Sequence, residues 1–249
     1  MRNQQPKSWN RSWVAIGVCA ALGVAALPLD LSVSQLIHAD HLRGDFRKLF
    51  TLAQVFSHGV GVAWVALTMF VLDCVRRPWM PRTLACAATG GLLAHAAKAL
   101  VVRARPTVFG HDVRGEGLVE FPGSVWNSFS SYAELAAQDT NWFDYMYHSM
   151  PSGHTATAVG LAMGLTTLYP RGRWVFYSIA VLAGLQRIVT SAHYLSDVLM
   201  GAAIGIFGAT MCLQHRGLGG WFDRLEGRLA SPRSKDEPSE TKPPSVRDE

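Results

Sequence analysis

Gln186-Arg187-Ile188-Val189-Thr190-Ser191-Ala192-His193-Tyr194-Leu195-Ser196-Asp197 sets an arginine, a histidine and an aspartate inside an otherwise apolar run. Ionisable side chains are costly at membrane depth and are retained there for a use, structural or chemical. A helix beginning near His193 would carry Asp197 four residues on along the same face. The carboxylate can then hold one imidazole nitrogen and leave the other free as a nucleophile. Arg187 adds a planar, permanently charged fork suited to phosphoryl oxygens. Alone, the stretch reads equally well as a buried structural ion pair, and residues upstream decide between the two.

Composition sets the frame. Of 249 residues, 49% are hydrophobic and only 16% are charged, apolar and charge-poor for a soluble domain of this size. The expectation is an integral membrane protein. The formal net charge of +5 is accounted for by basic cytoplasmic loops, and without a basic stripe interleaved with aromatics no nucleic-acid partner is expected. Cys19, Cys74, Cys86 and Cys212 form no CxxC and no metal-ligand pattern, so free thiols are expected.

Six apolar segments, at about 13–29, 50–75, 83–102, 155–169, 174–188 and 195–213, follow a polar, basic N-terminus over 1–12. The fold class expected is all-α: an integral membrane bundle of six transmembrane helices over 13–213. The first segment is short, stopping at Asp30, and with its basic leader also reads as a signal peptide cleaved near Ala25-Ala26; an uncleaved span is the reading adopted. The third is rich in Ala, Gly and Leu, which suits close helix packing. Residues 103–150 form a long non-cytoplasmic loop carrying Trp126, Phe129, Tyr132, Trp142, Phe143 and Tyr145, aromatics that favour the headgroup level. Its acids, Asp112, Glu116, Glu120, Glu134, Asp139 and Asp144, read as a cover that discourages soluble polyanions. Residues 214–230 read as a basic juxtamembrane segment, and the Pro-, Ser- and charge-rich stretch 231–249 as a disordered tail.

Loop charge orients the bundle. Lys and Arg outside the candidate site gather at the N-terminus, the 76–82 and 171–173 turns and the tail, which belong in the cytoplasm. The 103–150 loop and the 187–195 turn then share the opposite face. On that face Lys98 and Arg105, two helical turns apart, would project from the end of the third helix, which Pro106 terminates. Two adjacent cations call for an anion. Pro151-Ser152-Gly153-His154 opens the fourth segment, where a hydroxyl, an unhindered amide and the helix N-terminus make an anion site beside an imidazole able to protonate a leaving oxygen. Each group also has a plainer reading, as a snorkelling lysine or an ordinary N-cap. Their convergence on one face favours a site.

Lys98 with Arg105-Pro106, then Pro151-Ser152-Gly153-His154, then Arg187, His193 and Asp197 at their spacings together resemble the three-part signature of the type 2 phosphatidic acid phosphatase (PAP2) superfamily, in its membrane-bound lipid phosphatase branch. Gln186 departs from it, standing where the family commonly has Ser. The resemblance implies that His193 attacks phosphorus and becomes a phosphohistidine, that Asp197 orients it, and that His154 is the general acid. It implies that Lys98, Arg105, Ser152, Gly153 and Arg187 bind the phosphoryl oxygens. Neither metal nor other cofactor is expected, because three cations supply the charge a metal would otherwise bring.

The function expected is hydrolysis of a lipid-linked phosphomonoester or diphosphate, with membrane lipids as the surroundings. The expected location is a bacterial inner (plasma) membrane with the site on its periplasmic or extracellular face. Rival readings are a lipid phosphotransferase using the same nucleophile, vanadate-dependent peroxidase chemistry, and a non-catalytic lipid-phosphate binder.

Overall fold

Helices that meet through small residues can approach closely, and in this chain the small residues lie inside while the large apolar ones face out. The computed structural model describes residues 5–38, 45–109, 119–137, 144–214 and 218–230. Helix α1 (Gln5–Ala26) passes through a 3-10 turn at Leu27–Leu29 into α2 (Asp30–His38). Next come α3 (Asp45–Ala53), α4 (Gly59–Leu72) and α5 (Met80–Lys98). A two-stranded antiparallel ribbon of β1 (Val102–Arg103) and β2 (Phe129–Ser130) and the short α6 (Tyr132–Ala137) lie at one end. The chain then re-enters the bundle as α7 (Gly153–Leu168), α8 (Arg173–Val189) and α9 (Leu195–Leu213), followed by α10 (Leu218–Ala230).

Helix α7 is central, packed by α5, α8 and α9, while α1 runs along α9. Its Ala156, Ala158 and Ala162 are fully buried. A Cβ at Gly160 would sit 2.2 Å from the Cys86 carbonyl oxygen, and one at Gly205 would sit 2.5 Å from that of Ala156. Only glycine admits these approaches, the packing expected of the third segment and shared by its partners. Outward, Val14, Val18 and Leu22 on α1, Trp64, Leu67 and Phe70 on α4, and Trp174, Val175 and Val181 on α8 are exposed. That much outward-facing apolar surface suits a hydrocarbon solvent.

The sequence expectation of six spans is matched less directly. Two described helices, Asn10–Ile37 and Leu195–Leu213, are long and apolar enough to cross a membrane. A third counts if Lys48–Phe56 and Gly59–Leu72, bent by 67°, are taken as one. Asp30 does not close the first segment: the apolar helix continues past it, because its carboxylate is neutralised by a buried arginine instead of reaching water. The third helix ends at Lys98, not at Pro106, since the chain turns into β1 to pair with β2. Arg105 therefore lies beyond the helix in extended backbone.

At the end opposite the ribbon, Asp73 accepts hydrogen bonds from the Arg76 guanidinium (2.6 Å) and the Tyr169 hydroxyl (2.9 Å), joining the turns expected to share one face. Arg82 at the start of α5 pairs with Asp223 and Glu226 of α10. All four cysteines are free thiols. Of the expected acidic cover, Glu134 accepts from the Ser131 amide and Asp144 from the Met146 amide, so these two carboxylates cap local turns. Asp112, Glu116 and Asp139, with Trp142, Phe143, residues 1–4 and the 231–249 tail, lie outside the described residues.

Candidate active site

Helix α8 ends in a tight reversal that builds the first half of the site. Ser191 takes a left-handed conformation (φ 53°), and the amides of Ala192 and His193 both bond to the Arg187 carbonyl at 3.0 and 3.1 Å. Such a turn closes the helix by satisfying its last carbonyls, and here it folds His193 back beneath Arg187. Helix α9 starts immediately afterwards. Asp197 is its third residue, and its Oδ2 accepts the Tyr194 amide at 2.9 Å in a capping box. The pairing of His193 with Asp197 thus arises across a helix N-terminus, and not along one helical face as the spacing predicts.

His193 Nδ1 lies 3.6 Å from Asp197 Oδ2, longer than a hydrogen bond. Ser149 stands between them: its hydroxyl donates to Asp197 Oδ2 at 2.5 Å and is 3.5 Å from His193 Nδ1. Among the described residues no hydrogen bond engages Nε2. His193 is 1% exposed, and burial pushes its imidazole down to about 3, against the pull of Asp197. The ring is therefore neutral near neutral pH, the state a nucleophile requires.

Three cations converge from separate elements. Lys98 Nζ donates to the His148 carbonyl at 2.9 Å. Arg105 donates to the carbonyls of Tyr145 (2.8 Å), Ala192 (3.1 Å) and His148 (3.4 Å). Arg187 reaches the Gln186 side-chain oxygen at 3.4 Å, while its Nε is buried without a partner. Among the described residues none of the three is paired with a carboxylate. All are half-buried and close enough to repel one another. Burial draws the Arg105 guanidinium below its ordinary value, yet it stays charged at any physiological pH. An anion among them would relieve the repulsion.

Ser152 caps α7, its hydroxyl oxygen accepting from the Thr155 amide (3.4 Å) and hydroxyl (3.0 Å). It is fully buried, so its one proton is what it can offer an anion. Its amide donates to the Asp197 backbone carbonyl at 2.9 Å, which ties this segment to the first turn of α9. A Cβ on Gly201 would come within 2.4 Å of the Ser152 carbonyl oxygen, so glycine is required where α9 passes the start of α7. His154 follows on the first turn of α7, its ring 6.3 Å from that of His58. Gln186 is buried and donates to Gln54 at 3.4 Å.

Two cavities adjoin the cluster. One, of about 510 Å³, is lined by Lys98, Arg105, Tyr132, Tyr145 and His148, with His95 at its edge. The other, of about 830 Å³, runs between α4, α5 and α7 along Val62, Ala66, Leu84 and Leu92 to Gly153 and His154. The first is walled by cations and phenols, the second by hydrocarbon. His95 lines both.

Beneath His193 lies a buried network that the motifs did not indicate. Arg103 is fully buried and donates to Asp197 Oδ1 (2.6 Å), Ser196 Oγ (2.8 Å), Asp30 Oδ2 (2.7 Å) and Ser128 Oγ (3.2 Å). The available signals were Asp30, a charge inside an apolar helix, and Arg103, a second arginine beside Arg105. Neither discloses its partner, which lies in a distant part of the chain.

A buried histidine held near a carboxylate, beside three cations without a carboxylate partner among the described residues, in a bundle with an apolar exterior, marks a membrane protein with a candidate anion site. The PAP2 superfamily model matches residues 81–218, more than half of the chain. The chain belongs to that superfamily. It is similar to the lipid A 1-phosphatase of Rhizobium etli, 29% identical over 178 residues, covering 72% of this chain and 56% of the relative. It is also similar to the lipid A 1-phosphatase of Rhizobium johnstonii, 34% identical, covering 46% of this chain and 38% of the relative. The matched stretches thus span roughly half or less of these relatives' own lengths.

Among solved structures, Aquifex aeolicus LpxE superposes with a TM-score of 0.54 at 21% identity, covering 74% of this chain and 94% of that one. The PAP2-type phosphatidylglycerolphosphate phosphatase of Bacillus subtilis gives 0.53 at 17% identity, covering 86% and 95%. At these identities the likeness shows the fold.

Proposed function

We propose that this protein is a metal-independent phosphatase that hydrolyses a lipid-linked phosphomonoester or diphosphate through a phosphohistidine. The observation that carries this reading is His193, neutral, with Nδ1 turned to Asp197 and Ser149 and Nε2 left to react, beside three cations that have no carboxylate partner. Lys98, Arg105 and Arg187, with the Gly153 amide and the Ser152 hydroxyl, hold the phosphoryl oxygens. Nε2 attacks phosphorus, the P–N bond forming as the bond to the leaving oxygen breaks. His154, whose pKa is held down to about 4 by burial and the nearby cations until the phosphoryl anion offsets them, gives that oxygen its proton. Asp197 stabilises the positive charge gained by the imidazole. Water then attacks phosphorus, His154 takes its proton, the P–N bond breaks and phosphate leaves. Fixed cations aimed at developing oxyanion charge do most of the electrostatic work.

The adjoining apolar cavity favours a substrate with hydrocarbon chains. The names of the Rhizobium relatives favour a lipid A phosphate. Six spans over 13–213, the 103–150 loop and the site on the non-cytoplasmic side of a bacterial inner membrane, 1–12 and the 214–230 segment on the other, agree with the loop charges and with the site gathering at the ribbon end.

The test is phosphate release by detergent-purified protein, in EDTA, from lipid A, phosphatidic acid, phosphatidylglycerol phosphate and undecaprenyl diphosphate, with His193→Ala alongside. Release is expected to fall on the order of a thousand-fold or more in the variant. Phosphate passing to a lipid acceptor without release would identify a transferase, and a strict Mg²⁺ requirement would overturn metal independence.

A further inference from the structure

Arg103 and Asp30 fall outside all three motifs, yet they form the most completely buried charge cluster among the described residues. Resting on the phosphatase reading above, we infer that Asp30 and Arg103 are positioning residues that set the carboxylate of Asp197 against His193, so that the first apolar helix is part of the catalytic apparatus. The argument begins with the geometry of the guanidinium. Its NH2 is held by Asp30 Oδ2 at 2.7 Å, its NH1 meets Asp197 Oδ1 at 2.6 Å and its Nε meets Ser128 at 3.2 Å. The plane rests against the rings of Tyr194 (4.0 Å) and Phe129 (4.6 Å). Asp30 also accepts the Ser196 amide (3.0 Å) and hydroxyl (2.5 Å), which fixes the first turn of α9, the turn that carries Asp197.

Arginine and carboxylate pair most strongly when two parallel N–H groups meet both oxygens. Arg103 does not bind Asp197 that way, because Asp30 takes the other side of the fork. One oxygen of Asp197 is held, and the other is left to the Tyr194 amide, Ser149 and His193. The charges point to the same role. Two carboxylates share one guanidinium, so a net negative charge remains under the imidazole, which becomes cationic when the P–N bond forms. Without the Asp30 charge, Arg103 would be neutralised by Asp197 alone and would draw it away from His193. Among the described residues no hydrogen bond joins Lys98, Arg105 or Arg187 to this cluster, so their hold on phosphate is separable from it.

Asp30→Asn keeps shape and removes the charge. In purified protein assayed on the best lipid of the panel, kcat is expected to fall about 10- to 100-fold, as for a small misplacement of reacting groups. KM and the inhibition constant of inorganic phosphate should stay within about twofold, and Asp30→Glu should recover part of kcat. If Asp30→Asn does not fold, Arg103→Lys replaces it, keeping the positive charge but not the fork. An unchanged kcat in a folded variant overturns the inference. So does a parallel loss of kcat, KM and phosphate inhibition, which marks a purely structural role. An inactive parent protein removes the phosphatase reading instead.

Discussion

Arg103 and Arg105 are two residues apart and live in opposite electrostatic settings. Arg103 is sealed between two carboxylates and two serine hydroxyls; Arg105, half-buried, hydrogen-bonds among the described residues to backbone carbonyls only. The backbone explains the divergence. β1 ends at Arg103. Strand alternation would set residues i and i+2 on one face, but the chain leaves the strand before Arg105, which opens the 3-10 turn at Pro106–Val108. The first arginine therefore stays in the bundle under His193 and the second turns toward the cavity. A paired buried cation holds structure, whereas an unpaired one at a cavity wall waits for an anion. The same contrast separates the whole cluster of Asp30, Arg103, Ser196 and Asp197 from the shelf of Lys98, Arg105 and Arg187.

The most severe test of this contrast exchanges function for stability at the two arginines. Arg105→Ala and Arg187→Ala should each lower kcat/KM by about 10²- to 10³-fold, with weaker inhibition by inorganic phosphate and little change in melting temperature. Arg103→Ala should lower turnover as well, but with the fold destabilised by about 3–5 kcal/mol, because two buried carboxylates lose their cation; a melting curve matching the parent would break the distinction. Between these lies Gly201→Ala, which forces α9 away from the Ser152 carbonyl. A loss of about 1–3 kcal/mol is expected from such overpacking, read as a lowered unfolding midpoint together with reduced turnover.

A smaller effect should come from pH. His193 is driven down to about 3 by burial, so the folded protein binds fewer protons there than the unfolded chain, whose histidine titrates near about 6.5. The stability owed to a neutral His193 is full above that value and declines as pH falls toward the folded one. In His193→Gln the acid-side loss should therefore be shallower between about pH 6.5 and 4, which unfolding midpoints at stepped pH will check. The smallest effect on turnover belongs to the far end: Arg82→Gln, which leaves Asp223 and the buried Glu226 without their cation, should leave phosphate release within about twofold while loosening α10 by about 3 kcal/mol. Limited proteolysis would detect that loosening, and a large fall in turnover would extend the functional region across the bundle.

Residue types and their spacing carried the candidate groups. Lys98, Arg105, Ser152, Gly153, His154, Arg187, His193 and Asp197 were all legible because charge inside apolar sequence is costly and because Ser-Gly before an apolar run marks a helix start. The structure gathers Lys98, Arg105, His154, Arg187, His193 and Asp197 around one position. The means of gathering were not legible: a left-handed Ser191, a capping box at α9 and a two-residue ribbon arise from local backbone choices that periodicity does not record. The span count was least secure, since a 67° bend interrupts a segment that reads as continuous.

What the sequence by itself determined is the chemistry on offer and the solvent it lives in, because both follow from residue type and hydropathy along the chain. Tertiary structure alone decided which charges pair. Asp30, Arg103 and Asp197 are far apart in sequence, and a hydrogen bond of under 3 Å exists only where folding closes that distance. The same closure divided the arginines, giving Arg103 to the carboxylates and leaving Arg105 without a carboxylate partner among the described residues.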